Sequence, residues 1–338
     1  MPEPSLVSGI ALAALGGVFN GIFALPMKFM RRWKWEHTWL IYSVVAMVAF
    51  PWAVALLSTP HLGQLISEAP LGLICGFGFA WGVGAVLFGL GIVRLGIGLG
   101  LALIMGTVTG IGSLVPMVVL HPGALGSRAG RFILLGNAIT IVGIALCAYA
   151  GHLRERYQAG AAEGQSGRRS LPISLLIAIM SGVFSAMLNF SFAFSSTIQK
   201  RAVELGAAPA MASMGVWALA VSAGFLANAA YCMWLIGRGG WAAFKLPQTG
   251  LYWLGAVVMG LFWFGSIIAY GIGGTKLGSA GPVVGWPVVM GSTVVMSNIV
   301  GWLIGEWRGT GWSCRACLGA GITAIVAATI VIAQGSAM

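Results

Sequence analysis

WGVGAVLFGLGIVRLG, from Trp81 to Gly96, returns as WFGSIIAYGIGGTKLG, from Trp263 to Gly278. The two align without a gap. Trp, three Gly and one Leu are identical, and Phe88/Tyr270, Leu90/Ile272 and Arg94/Lys276 are like for like. Each copy ends an apolar run, and the second copy lies five runs after the first. A duplicated chain with an odd number of spans per copy inserts its halves in opposite directions, which is the sequence mark of inverted-repeat transporters.

The composition around these copies belongs to a membrane protein. The chain has 338 residues, of which 59% are hydrophobic and only 7% charged; a soluble domain carries about 25% charged residues. A membrane helix needs roughly 20 apolar residues. Ten such runs fall at 6–27, 38–58, 70–92, 97–119, 131–150, 172–194, 210–236, 250–272, 279–304 and 315–334. The expectation is an all-α polytopic membrane protein of about ten transmembrane helices, built as two inverted five-helix repeats. Residues 1–150 form the first repeat, 151–171 a polar linker and 172–338 the second. Gly17-Val18-Phe19 in span 1 returns as Gly182-Val183-Phe184 in span 6.

The net charge of +11 reads as topogenic rather than as a nucleic-acid surface, because no loop is long enough to form a binding domain. Loops after odd-numbered spans hold Lys28, Arg31, Arg32, Lys34, Arg94, Arg154, Arg156, Arg168, Arg169, Arg238, Lys245, Arg308 and Arg315. The opposite side holds Arg128, Arg131, Lys200, Arg201 and Lys276. The bias places odd loops in the cytoplasm and both termini outside. The first run lacks a basic start and is longer than a signal-peptide core, so it reads as a retained span. Cys314 and Cys317 form a lone CxxC with no second pair or nearby His, so no metal site is expected. No cofactor and no enzymatic nucleophile–base set is indicated.

Polar side chains at mid-membrane are costly and face the bundle interior or a solute path. Ser181, Ser185, Asn189, Ser196 and Gln199 share one face of span 6. Asn20 is the span 1 counterpart of Ser185, and span 9 adds Ser292, Thr293 and Asn298. Trp81 and Trp263 fall near mid-span, away from the interfacial belts that tryptophan prefers, and Trp286 lies where Pro282, Gly285 and Pro287 should kink or break span 9 and turn free carbonyls to a cavity. Neutral amides, hydroxyls and aromatic faces suit a neutral, multiply hydroxylated solute. Helix bridging is the competing account of the single Ser and Thr residues, and close helix packing that of the tryptophans. The candidate substrate-binding set is Trp81, Asn189, Trp263, Trp286 and Asn20. No acid lies at the centre of a span, so Glu36, His37 and Glu306, at span ends on the predicted cytoplasmic side, are the candidate proton-coupling groups. Their competing reading is interfacial pairing with Lys34 and Arg308.

RRWKWEHTW (Arg31–Trp39), FPWA (Phe50–Ala53), GRFILLG (Gly130–Gly136), GHLRER (Gly151–Arg156), SGVFSAMLNF (Ser181–Phe190) and IGEWR (Ile304–Arg308) resemble, in order and spacing, the L-rhamnose–proton symporter family of the drug/metabolite transporter superfamily. The resemblance implies a ten-helix bacterial inner-membrane importer that takes a neutral sugar with a proton. The alternatives are a proton-independent sugar facilitator, or an exporter of another small solute. A cation exporter would need a buried anion that span 1 lacks. An anion exchanger using Arg94 and Lys276 would need them on one face. A non-transporting sensor would leave the duplicated mid-depth polar features without a role.

Overall fold

A computed structural model describes residues 6–159, 171–247 and 249–337. Among these residues there is no strand, and ten helices are long and apolar enough to cross a membrane. They are α1 (Leu6–Phe29), α2 (Trp35–Ser58), α3 (Leu71–Gly96), α4 (Gly98–Leu120), α5 (Arg128–Tyr157), α6 (Leu171–Glu204), α7 (Pro209–Ile236), α8 (Gly250–Lys276), α9 (Gly278–Leu303) and α10 (Trp312–Ser336). The chain is an all-α, multi-pass membrane protein. A short helix, Leu62–Glu68, caps one end between α2 and α3.

The two copies of the opening motif end alike. Gly96 closes α3 with φ +78°, and Gly278 follows α8 with φ +66°. A side chain with a Cβ is strained in that region, which explains why glycine ends both copies. At Gly96 the chain passes from α3 to α4 with no loop at all. The stretch read as a linker is helical at its start, since the helix of α5 runs on to Ala159. Arg154, Glu155, Arg156 and Gln158 are good helix formers, and Gly151 alone does not break the run. The remainder, 160–170, lies outside the described residues.

The main packing pairs are α1 with α8 and α9, α6 with α3 and α4, α2 with α8, α7 with α3, α4 with α5, and α9 with α10. The pairs α2–α7, α4–α9, α5–α10, α8–α9 and α5–α9 also pack.

Pro51, Pro116 and Pro287 sit where a spanning helix continues on both sides, and each withholds the N–H that the carbonyl four residues earlier would accept. Donors from other helices serve all three carbonyls. For Pro116 in α4, Asn189 Nδ2 donates to Gly112 O at 2.7 Å. For Pro287 in α9, Ser113 Oγ donates to Val283 O at 2.6 Å. For Pro51 in α2, which follows a widened turn at Val45–Ala49, Ser222 Oγ donates to Met47 O at 3.0 Å. In lipid each unserved carbonyl would cost several kcal/mol, roughly. This corrects the expected break in span 9. The helix is continuous over Gly281–Leu303, Pro282 sits in its first turn where no N–H is needed, and the carbonyl freed by Pro287 is taken by Ser113 rather than facing a cavity.

Candidate functional site

Trp81 and Trp263, one from each copy of the repeat, stack directly on each other. Their ring centroids are 5.3 Å apart at 23°. Both are buried. Helices α3 and α8 bring them together from opposite halves, each about midway along its helix. Tyr42 of α2 meets Trp263 edge-on at 6.2 Å, and Trp39 leans on Tyr42 at 4.8 Å. Trp39 Nε1 donates to Asn228 Oδ1 at 2.9 Å.

A second cluster surrounds Asn189. Its amide nitrogen donates to Gly112 O at 2.7 Å and to Pro282 O at 3.1 Å, and its oxygen accepts from the Tyr270 hydroxyl. Asn189 therefore joins α4, α6, α8 and α9 at one fully buried point. Trp286 lies against Tyr270 at 5.6 Å, and its Nε1 donates to Val108 O at 3.0 Å. Phe192 stacks on Trp217 at 5.2 Å and 12°, and both touch Tyr270. Tyr270 lies two turns along α8 from Trp263, so the two clusters lie along the same side of that helix.

Asn20 stands in a third place, where its Nδ2 donates to Thr293 Oγ1 at 3.1 Å and links α1 to α9. Two other polar residues of span 6 bridge helices or bond locally: Ser181 Oγ donates to Gly84 O at 3.0 Å, and Gln199 Nε2 to Phe192 O at 2.8 Å. Asn298 bonds Val294 O within its own helix at 2.8 Å.

The candidate proton-coupling residues separate. His37 is buried, its Nε2 donates to Gly240 O at 2.8 Å, and its ring meets Phe244 edge-on. Glu36 is partly exposed at the start of α2. Glu306 forms ion pairs with Lys28 and with Arg154, the latter at 2.7 Å, tying the ends of α1 and α5 to the connection after α9. Sequence proximity suggests Arg308 and does not disclose these two partners. Arg154 also lies over the Trp307 ring at 5.0 Å. Sequence reasoning missed Tyr270, Ser113, Ser213 and Trp217. The signal for Ser113 was present, since any proline inside a span calls for a donor near the carbonyl four residues before it.

A family model described as L-rhamnose-proton symport protein (RhaT) matches residues 3–338. The chain belongs to this family. The L-rhamnose-proton symporter of Cronobacter sakazakii is 28% identical over 98% of this chain and 99% of its own. Those of Mannheimia succiniciproducens and Escherichia coli O17:K52:H18 are 27% and 24% identical over the same shares. The family is one of symporters, not of enzymes.

Proposed function

We propose that this chain imports L-rhamnose, or a closely related neutral monosaccharide, together with protons across a bacterial inner membrane. Both termini would lie in the periplasm. The full-length family match supports the chemistry, and the stack of Trp81 on Trp263 between the two halves is the observation that carries the site. Trp81, Trp263 and Trp286 offer apolar faces to the C–H faces of a pyranose, while Asn20 offers an amide to its hydroxyls, and Asn189 does so as it exchanges the carbonyls of Gly112 and Pro282 for the sugar. Transport then proceeds by rocking one half against the other, the tryptophans parting to admit the sugar.

The inverted repeat is part of this reading, as is placement in the drug/metabolite transporter superfamily. Gly91 faces Ala178 across α3 and α6; its counterpart Gly273 faces Ala13 across α8 and α1. The same repeat offsets relate both contacts, as expected of halves related by a pseudo-two-fold axis.

For coupling, Glu306 is the leading group. It is a carboxylate held by two cations at the junction of α1, α5 and α9, so its protonation would release both and loosen that end. By linkage, the proton and the sugar must each alter the other's binding. His37 and Glu36 lie at the same end. A proton-independent facilitator is the second reading, favoured by the position of all these groups at helix ends rather than at mid-span.

The test is uptake of labelled L-rhamnose into proteoliposomes with and without an imposed pH gradient. Accumulation driven by the gradient is expected. Equilibration that ignores the gradient would leave the facilitator standing, and no saturable uptake would defeat the sugar reading itself.

A further inference from the structure

Asn189, Tyr270, Trp286 and Asn20 all have polar atoms engaged with protein partners. Two neighbouring polar atoms do not. Ser213 Oγ and Trp217 Nε1 have no hydrogen-bond partner among the described residues, yet both residues are fully buried. They lie one turn apart on the same side of α7, and both face Gly271 of α8. A Cβ at Gly271 would stand 2.7 Å from Ser213 Oγ and 2.7 Å from Trp217 Nε1. Two orphan polar atoms therefore press on one face of Gly271, which closes the space between them until α7 and α8 part. Buried groups of this kind are rare in folded proteins and call for a ligand, a water or a functional state that satisfies them.

The surroundings favour a sugar. The Trp217 indole is stacked on Phe192 and adjoins Tyr270, so the polar point sits at the rim of an aromatic face. Gly271 is one of the identical glycines of the opening repeat. Its counterpart, Gly89, has open space at its Cβ position and no polar atom beside it. The polar pair thus belongs to one half only, which is what an asymmetric solute requires of a nearly symmetric scaffold.

We propose that Ser213 and Trp217, opposite Gly271, are specificity-determining residues that read one hydroxyl of the transported sugar. A hydroxyl is the group that fits both atoms: it accepts from the indole N–H, which only donates, and exchanges a hydrogen bond with the serine hydroxyl. A deoxy position would leave both unserved, and such a site discriminates strongly against an analogue lacking the group. The proposal rests on the sugar-transport reading above.

The test uses the full-length protein in proteoliposomes, with L-rhamnose and a set of analogues each lacking one hydroxyl as probes. Wild type should reject one of these analogues far more than the rest. Ser213→Ala should raise KM for L-rhamnose about tenfold, leave kcat nearly unchanged, and lose that one discrimination. Its thermal stability without sugar should not fall, because the hydroxyl it removes has no protein partner to lose. Gly271→Ala, whose methyl crowds both polar atoms, should weaken L-rhamnose binding at least as much. An unchanged KM in Ser213→Ala, with the wild-type ranking of analogues, would mean two unserved packing atoms only and overturn the proposal while leaving transport intact. A fall in stability with equal losses for every analogue would also overturn it. Wild type taking up no sugar at all would overturn both readings.

Discussion

The two ends of the bundle are closed by different chemistry. At the end where the connections after α1, α7 and α9 gather, Trp33 is buried among Phe244, Tyr252 and Trp253, with ring centroids 5.3 to 5.6 Å away. Its Nε1 donates to Ala243 O at 3.1 Å, buried His37 holds Gly240, and Glu306 gathers Lys28 and Arg154. At the opposite end the short helix Leu62–Glu68 seats Leu62 and Leu65 in the core beside Ile198 and Ala202 of α6, and its outer side meets α6 through one exposed group. Arg201 forks onto Glu68 at 2.7 and 3.2 Å and reaches Glu204 at 3.0 Å. Buried aromatic area contributes in proportion to surface removed from water, whereas exposed ion pairs contribute little. The exposed ion pairs of the charged end therefore part at lower cost than the aromatic cluster around Trp33.

The largest test of this difference is Trp33→Ala. It removes three ring contacts and a hydrogen bond from a buried position, so it should lower stability by about 3–5 kcal/mol. Chemical unfolding in detergent measures it. A loss below about 1 kcal/mol, the scale of a surface change, would erase the contrast.

A smaller effect is expected from Glu306→Gln. The side chain is 30% exposed and Arg154 17%, so removing the charge should cost about 1–2 kcal/mol after allowance for solvent. The sharper readout is accumulation of L-rhamnose against a gradient, which the variant should lose while still exchanging sugar across the membrane. Continued accumulation would remove Glu306 from the coupling.

The smallest stability change should come from Arg201→Gln, where melting should stay near wild type while the charged end opens more often. Labelling of a cysteine placed at Leu65, a buried position in the short helix, reports that opening and should speed up in the variant. The pH dependence has a definite sign. Hydrogen bonds from Arg201, then Gln64, hold the Glu68 carboxyl below the usual carboxylate range. A depressed carboxylate keeps its contact above its ordinary pKa and loses it as pH falls through the lowered value. Labelling in wild type should thus stay flat through mildly acid pH and rise only below the usual carboxylate range. In Arg201→Gln the rise should begin at higher pH.

Much of this fold was open to reading before any coordinates, because a bilayer leaves few choices. Ten apolar runs became ten helices, and the repeat at Trp81 and Trp263 marked the pair that stacks. The partners were harder to see. Hydropathy gives depth along a helix but not rotation about it, so nothing in the chain announced that the two indoles face each other. Asn189 stood out as a polar residue at mid-span, yet its partners are main-chain carbonyls, and carbonyls carry no sequence label. Only Pro116, four residues after Gly112, betrays one of them. Glu306 was read against a neighbouring base, whereas its partners Lys28 and Arg154 come from distant helices. The span 9 break failed for a related reason: a proline breaks a membrane helix only when nothing else serves the carbonyl it frees, and here Ser113 does.

Those proline-freed carbonyls also bear on how the protein is made. Synthesis delivers α2 and α4 to the membrane before the helices that complete them. Met47 O waits for Ser222 of α7, and Gly112 O waits for Asn189 of α6. Only Val283 O of α9 arrives with its donor, Ser113, already in place. The first five helices on their own are thus an unfinished assembly, carrying two main-chain acceptors toward lipid until the later half closes over them. The order of translation makes the second half the chaperone of the first.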